Sequence, residues 1–446
     1  MPIEDYIRTT LNLVPERIES VETVHKDQKM EVFLILKDTH PVCPFCGGPA
    51  KSKGLLSKSF RTLETAGIPT VVHWKRRRYI CKDCARTFSE DNIFTPENMS
   101  SSFSLLNNVV MDLRNLHLTY KDIAARYQLS PTRIEVYADS FLSIPRLRLP
   151  ENLGIDELHS SMAKYGSAYL CVIVDNTDRN LTEVLPSRSK HELSKYMEKI
   201  PQSERDGVKY ATMDMWEPYR DVMKKYCRNC ICCVDGFHVV KELSDRFTRM
   251  RCDIMEQMPH GSAAYYLLKH WHRLLETDVN LDNTPQYNNF FKTKINYRDI
   301  YDMLLRINES LSLAYQLKEM YRDFNKTARP EECEKKFDQV MDAFKYADIS
   351  YYRSFISMAE YWKPEILNSF RRPSNDRKES NALAEYMNGR LGDFIRISNG
   401  ISNFERFRAR SIFALNKRMA YTITDHLVTN KREGKKRGRY SNQKFI

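Results

Sequence analysis

Two periodicities share the chain. Near the start a short helical stretch gives way to KMEVFLILKD, whose apolar positions suit one face of a small sheet. A second extended run, TVVHWKRRRYI, lies between two Cys-x-x-Cys pairs. From Ser101 to Leu142 the spacing turns helical in three pieces: SLLNNVVMDLRNL, TYKDIAARYQL and SPTRIEVYADSFL. Thr119 is placed to cap the second, and Ser130 followed by Pro131 to open the third. IPRLRLPEN then reads as an extended basic linker.

The centre is strand-like in NLGIDELHSS, SAYLCVIVDNTD, LTEVLPS and VKYATMDMW, with the helical SKHELSKYMEKI before the last of these. EPYRDVMKKY is a helix that tolerates Pro218 in its first turn, and CICCVDGFHVV is a further buried run. Three strands, a helix, a strand, a helix and a strand predict an α/β layer with a mixed sheet. From Lys241 to about Phe370 nearly everything reads as helix. Leu304, Ile307, Leu311, Ala314, Leu317, Tyr321 and Phe324 mark one apolar face there. Another helical segment, SNALAEYMNGRL, precedes a basic tail. The expected divisions are 1–98, 99–144, 145–240, 241–372, 373–425 and 426–446.

With 446 residues the chain has room for several domains. Its 70 Lys and Arg against 58 Asp and Glu leave a net charge of +12, which favours a polyanionic partner. No uncharged apolar stretch approaches the length that spans a bilayer, and the start MPIEDYIRTT lacks a leader pattern, so an intracellular protein without a membrane partner is expected. Four of the eleven cysteines, Cys43, Cys46, Cys81 and Cys84, form two knuckles whose thiolates converge on one tetrahedral point, the pattern of a structural Zn²⁺ ribbon. Gly47 and Gly48 suit the tight turn of the first knuckle. Lys75, Arg76, Arg77 and Arg78, interleaved with Trp74 and Tyr79, read as a phosphate-contacting arm and equally as a strand edge guarded by charge. The S-P-T-R start puts Thr132, Arg133 and Glu135 on an exposed face, as in the recognition helix of a helix-turn-helix; that reading is favoured over an ordinary three-helix bundle because the module follows a basic ribbon in a basic chain.

Asp156 lies in the first strand of the central layer and Asp214 at the end of a later one, so adjacent strands would bring both carboxylates to one crevice. A hydrated divalent cation suits one or two carboxylates plus phosphate oxygens. Strand-end aspartates also serve as turn residues, and Asp175 in VIVDNTD most simply begins a turn. Cys227, Cys230, Cys232 and Cys233 read as buried small hydrophobes, because Cys232 and Cys233 face opposite ways on a strand. Trp216 reads either as a base-stacking platform or as a seal on the core.

Taken in order, CPFCGG, CKDCARTFSE, GIDEL, VLPSRSK, MDMWEPYRDV, VDGFHVVKEL and SNALAEYMNGRLGDFIRISNGISNFERFRAR resemble the bacterial insertion-sequence transposases of the ISL-three family, in the DDE group. The resemblance runs over nearly the whole chain. It implies a multidomain α/β protein: zinc ribbon (1–98), helix-turn-helix (99–144), and a ribonuclease-H-like mixed-sheet catalytic domain (145–240 and 373–425) interrupted by a large all-α insertion (241–372). It implies Asp156, Asp214 and Glu385 as the acid triad for Mg²⁺ or Mn²⁺, with Asp235 and His238 in a supporting D-x-x-H element. It also implies cleavage and strand transfer on double-stranded DNA, both transposon ends and target, by a homodimer in the bacterial cytoplasm, at the nucleoid. Two glutamates lie within reach of the third position. Asn381 and Asn388 share a helix face with Glu385, whereas Glu379, in NDRKES, is expected to face solvent. Ala382 and Tyr386 stand where the family commonly has glycine. The rival of another class is a zinc-dependent DNA-binding regulator whose transposase-derived domain is catalytically inactive; a weaker one is a nuclease that cuts without joining.

Overall fold

A computed structural model describes residues 5, 9–65, 67–371, 378–398, 401–424 and 427, so all but position 427 of the basic tail expected at 426–446 lies outside the described residues. The chain forms two compact units, Met1–Arg146 with Arg390–Ile446, and Leu147–Gly389.

In the first unit, β1 (Ile18–Lys26), β2 (Lys29–Leu36), β3 (Ala50–Arg61), β4 (Thr70–Cys81) and β5 (Thr87–Ser89) make one sheet in the order β1-β2-β4-β3, with β5 on the far half of β4. The β1–β2 hairpin replaces the lone strand expected in the first forty residues. β1 and β3 are edge strands whose only fully buried apolar residues are Ile18 and Phe60, so neither carries an alternation that would announce it. The central strands do: Met30, Val32, Leu34, Val72 and Trp74 are at 0% exposure and form the core with Phe60 and Phe94.

Three helices follow, α1 (Phe103–Asp112), α2 (Tyr120–Arg126) and α3 (Pro131–Phe141). Their starts follow the expected signals. Ser102 caps α1, Thr119 and Asp122 form a capping box on α2, and the Ser130 side chain caps α3 ahead of Pro131. Thr132 and Arg133 are exposed and Glu135 is half-buried.

In the second unit, β6 (Asn152–His159), β7 (Tyr169–Asp175), β8 (Asn180–Leu185), β9 (Tyr210–Met213) and β10 (Ile231–Val234) are ordered β10-β9-β6-β7-β8. β6, β7 and β8 pair antiparallel, while β6–β9 and β9–β10 pair parallel, so the sheet is mixed as expected. The parallel links are crossovers through α4 (Lys190–Glu198) and α5 (Glu217–Tyr226), which pack Leu193, Met197, Tyr219 and Val222 onto Leu153, Ile155, Cys171 and Ile173 of the sheet. Cys227 and Cys232 join this core, in keeping with their reading as small hydrophobes.

The helical block comprises α6 (Gly236–Glu256), α7 (Ala263–His270), α8 (Tyr297–Arg306), α9 (Glu309–Thr327), α10 (Cys333–Ala347), α11 (Arg353–Tyr361) and α12 (Lys363–Asn368). Leu304, Leu311, Ala314, Leu317, Tyr321 and Phe324 are buried along α8 and α9. The block is not purely helical: β11 (Gln286–Asn288) and β12 (Thr293–Ile295) form a hairpin within it. Its strands are too short to leave an apolar alternation in the sequence.

α13 (Ala382–Ile397) begins in this unit and ends in the first, where α14 (Phe404–Leu415) also lies. Arg406 binds Asp139 of α3 at 2.7 Å, and the buried Arg410 donates to the carbonyls of Leu113, Asn115 and Leu118 between α1 and α2. Arg114 returns the exchange to the carbonyls of Phe413, Asn416 and Lys417. Satisfying so many carbonyls that end helices explains why α14 belongs to the three-helix module.

Candidate active site and metal centres

Among the described residues, three groups of side chains are close enough to share a cation. The first is Cys43, Cys46, Cys81 and Cys84, whose sulfurs lie within 4.8 Å of one another. Cys43 and Cys84 stand 3.7 Å apart and Cys46 and Cys81 3.5 Å apart. Gly47 takes a φ of +73° in the first knuckle, where the Cys43 amide donates to Gly48 O at 2.8 Å. A Cβ on Gly48 would stand 2.1 Å from Asp83 Oδ2 in the second knuckle, so any larger residue there would force the Asp83 carboxylate to turn aside. The amides of Asp83 and Cys84 point at Cys81 Sγ from 3.3 and 3.4 Å, favouring a thiolate there.

The basic arm on β4 is less free than its sequence suggests. Arg76 Nε donates to Glu90 O, Arg77 pairs with Glu19 and donates to Leu36 O at 3.0 Å, and Arg78 reaches Thr87 at 3.1 Å. Lys75 is exposed, while Trp74 and Tyr79 are buried.

The other two groups meet in the second unit: Asp156, Asp214 and His238, and Asp235, His238 and Glu385. Asp156 stands on β6, and Asp214 follows β9, its parallel neighbour, just past the last pair, Ile155 with Met213. Asp235 ends β10 and caps α6, placing His238 in the first turn of that helix. Glu385 projects from the first turn of α13. His238 is the joint: its Nε2 lies 2.8 Å from Asp214 Oδ1 and 3.9 Å from Glu385 Oε1.

Hydrogen bonds hold this constellation from behind. Asn388 Nδ2 donates to Asp156 Oδ2 at 2.8 Å and to Glu157 O at 3.1 Å, and the Glu157 amide donates to Asp156 Oδ1 at 2.8 Å. Asp235 accepts from the amides of Phe237 and Asn381, so it joins α6 to the start of α13. Asn381, fully buried, donates to Ile155 O at 2.8 Å. Gly154 allows that approach, since a Cβ there would stand 2.8 Å from Asn381 Oδ1. A glycine inside a strand pattern is the one sequence signal that this contact left. Ala382 and Tyr386 are exposed, off the packed face of α13.

The charges are crowded. Burial, and then Asp214, push the Asp156 carboxyl up to about 7. Burial, and then Asp235, raise Glu385. Burial alone would lower His238, but contact with Asp214 outweighs it and raises the imidazole. Asp214 Oδ1, His238 Nε2 and Asn388 Oδ1 are buried without a well-aligned hydrogen bond, the histidine contact being close but misdirected. Unsatisfied oxygens beside mutually repelling acids fit a hydrated divalent cation.

Glu379 corrects an expectation. It is 6% exposed rather than solvent-facing, and both its oxygens accept from Asn152 Nδ2, at 3.1 and 2.9 Å. The charged letters around it hid a buried anchor, and Asn152 gave no sign of being its partner. Trp216 is 38% exposed, with the Arg188 guanidinium 4.5 Å from its ring, so it does not seal the core. Asp175 begins a turn, accepting from the amides of Thr177 and Asp178.

A mixed α/β unit with converging acids and a separate zinc-ribbon-like cysteine cluster is the equipment of a transposase. A family model described as transposase matches residues 153–411, and a second, described as the zinc-finger of transposase IS204/IS1001/IS1096/IS1165, matches residues 39–84. The chain belongs to the ISL3 (ISL-three) family of DDE transposases. It is similar to the transposase for insertion sequence element IS1001 from Bordetella parapertussis, 21% identical over 415 residues that cover 90% of this chain and 96% of that one. No helix among the described residues is long and apolar enough to cross a membrane.

Proposed function

We propose that this transposase binds the terminal inverted repeats of its own element, cuts the DNA there and joins the freed 3′ ends to target DNA. The observation that carries the reading is the convergence of Asp156 and Asp214, from neighbouring parallel strands, on a histidine that Glu385 also reaches. The order β10-β9-β6-β7-β8, with acids on β6 and just after β9, supports a ribonuclease-H-like domain into which the helical block and its hairpin are inserted.

Asp156, Asp214 and Glu385 would hold two Mg²⁺ or Mn²⁺ ions. When bound, these supply Lewis-acid activation of the attacking oxygen and charge stabilisation at the leaving oxygen. The chain's own groups arrange that chemistry. Asn388 fixes the Asp156 carboxylate, Asp235 and Asn381 seat the start of α13 so that Glu385 faces the cluster, and His238, in its cationic form, reduces repulsion between Asp214 and Glu385. No Ser or Tyr nucleophile is required.

DNA engagement falls to the other unit. The four cysteines would carry Zn²⁺ as a structural ion, α2 and α3 act as the helix-turn-helix, and Thr132, Arg133 and Lys75 offer exposed contacts. Arg76, Arg77 and Arg78 would have to exchange protein partners for phosphate. A homodimer binding two ends, acting at the bacterial nucleoid, is the assembly this reading entails.

The test compares the wild type with Asp156→Asn on cognate ends in Mg²⁺, with pre-cut ends supplied in parallel to score joining. The variant should bind ends and neither cut nor join them. Identical products from both proteins, or none from either on correct ends, would sink the reading.

A further inference from the structure

The ladder between β6 and β9 stops at Ile155 and Met213, one residue short of the acids. Asp156 remains inside the sheet, paired with Val172 of β7, but Asp214 lies beyond the end of its strand. No backbone rung therefore sets the distance between two carboxylates that repel each other.

Beyond the last rung stands Arg188, a residue of the VLPSRSK segment. Its guanidinium pairs with Glu157, the residue after Asp156. The same group lies 4.1 Å from the ring of Tyr169 on β7 and 4.5 Å from that of Trp216. Trp216 is two residues past Asp214 and donates its amide to the Asp214 carbonyl at 2.7 Å. Arg188's own amide is fixed on Tyr169 O at 3.1 Å. One side chain thus ties β6, β7 and the turn after β9 together. Because Trp216 is half-exposed, core packing does not orient it; the flat cation stacked on its ring does. Glu157 points to the face of the sheet opposite Asp156, which puts Arg188 behind the acids rather than in front of them.

We propose that Arg188 is a positioning residue that stands in for the missing rung, setting the separation of Asp156 and Asp214 through Glu157 and Trp216. This rests on the acids being a divalent-cation site, and the test separates the two claims. Mn²⁺ binding to the full-length protein is followed by electron paramagnetic resonance, and end-DNA affinity is measured without divalent cation. Asp156→Asn should remove the bound Mn²⁺. Arg188→Ala and Trp216→Ala should weaken it about tenfold, Arg188→Lys should weaken it too because an ammonium cannot stack as a plane, and Trp216→Phe should stay within about twofold. End affinity should stay within about twofold throughout, since end binding is assigned to the other unit. Should Arg188→Ala not fold, the lysine variant and the two tryptophan variants carry the same comparison.

Wild-type affinity for Mn²⁺ in Arg188→Ala, Arg188→Lys and Trp216→Ala would overturn the proposal alone. Loss of end affinity in Arg188→Ala with Mn²⁺ binding intact would make Arg188 a DNA contact and overturn it as well. Absence of any Asp156-dependent Mn²⁺ binding in the wild type would overturn the acid-site reading and this inference with it.

Discussion

The cysteine cluster draws its four ligands from two knuckles between Cys43 and Cys84, each knuckle a few residues long; the acid cluster gathers Asp156, Asp214, His238 and Glu385 from the middle of one strand, the end of another and two helices. In the first, local spacing sets each pair of sulfurs, with glycine turns and backbone amides assisting, and a single strand pairing, Ala50 of β3 opposite Cys81 of β4, joins the two pairs. In the second, nothing local does: the sheet order, the cap on α6 and the seat of α13 must all form before the carboxylates meet. The cysteines are suited to an ion that holds structure, and the acids to ions that act on a substrate. The two centres should therefore fail in different ways.

The largest effect separates them most sharply. Asp156→Asn or Asp214→Asn should lower single-turnover cleavage of cognate ends by at least about 10⁴-fold while bound zinc, measured by elemental analysis, and end affinity stay at wild-type values. Residual cleavage within about tenfold of wild type would show that the acids are not the catalytic centre.

Next is the reverse experiment. Cys81→Ser should release zinc and destabilise the ribbon by more than about 4 kcal/mol, the scale of losing a structural metal. Limited proteolysis should then cut within residues 39–84 and end binding should fall, while Asp156-dependent Mn²⁺ binding persists in the other unit. Full proteolytic protection in the variant would mean that the cysteines need no metal to fold.

How much of each centre was legible follows the same division. The CxxC pairs announced the first because the ligand geometry is written in four positions. Caps were legible for a similar reason, since Thr119 and Ser130 act within three residues of themselves. For the acid site, the succession of strands and helices and the candidates Asp156, Asp214 and Glu385 could be named, but the order of the strands in the sheet and how the acids are held could not. Asn388 on Asp156, Arg188 between Tyr169 and Trp216, and Asn152 on Glu379 are pairings across long stretches of chain that leave no periodicity. The edge strands β1 and β3 were illegible because they bury almost nothing.

Asn388 offers a finer cut at the comparison. Asn388→Ala removes the donor at 2.8 Å from Asp156 without touching an acid. Cleavage should fall about 10- to 100-fold, the usual range for a group that orients a metal ligand, with zinc content unchanged. Recovery of most of the loss at higher Mn²⁺ would mark the defect as one of ligand placement; an unchanged rate would show that Asp156 is held adequately by the Glu157 amide alone.

The smallest effect tests whether the acid-site unit tolerates buried charge away from its acids. Glu379 accepts twice from Asn152 and lies 3.5 Å from Thr212, and burial raises its carboxyl despite those contacts. With the folded pKa above the unfolded one, near 4.3, the folded state holds the proton longer, so stability falls as pH rises from the unfolded value through the raised one and stays lower above it. Glu379→Gln keeps an acceptor for Asn152 and cannot ionise. Its melting profile should lose this step, leaving the variant more stable than wild type at neutral pH by less than about 1 kcal/mol, and no more stable at pH 4. A variant less stable than wild type at pH 7 would show that the charge itself is stabilising; the anchor at Glu379 would then depend on ionisation, as the acids do, instead of on shape and hydrogen bonding, as the backbone around the cysteines does.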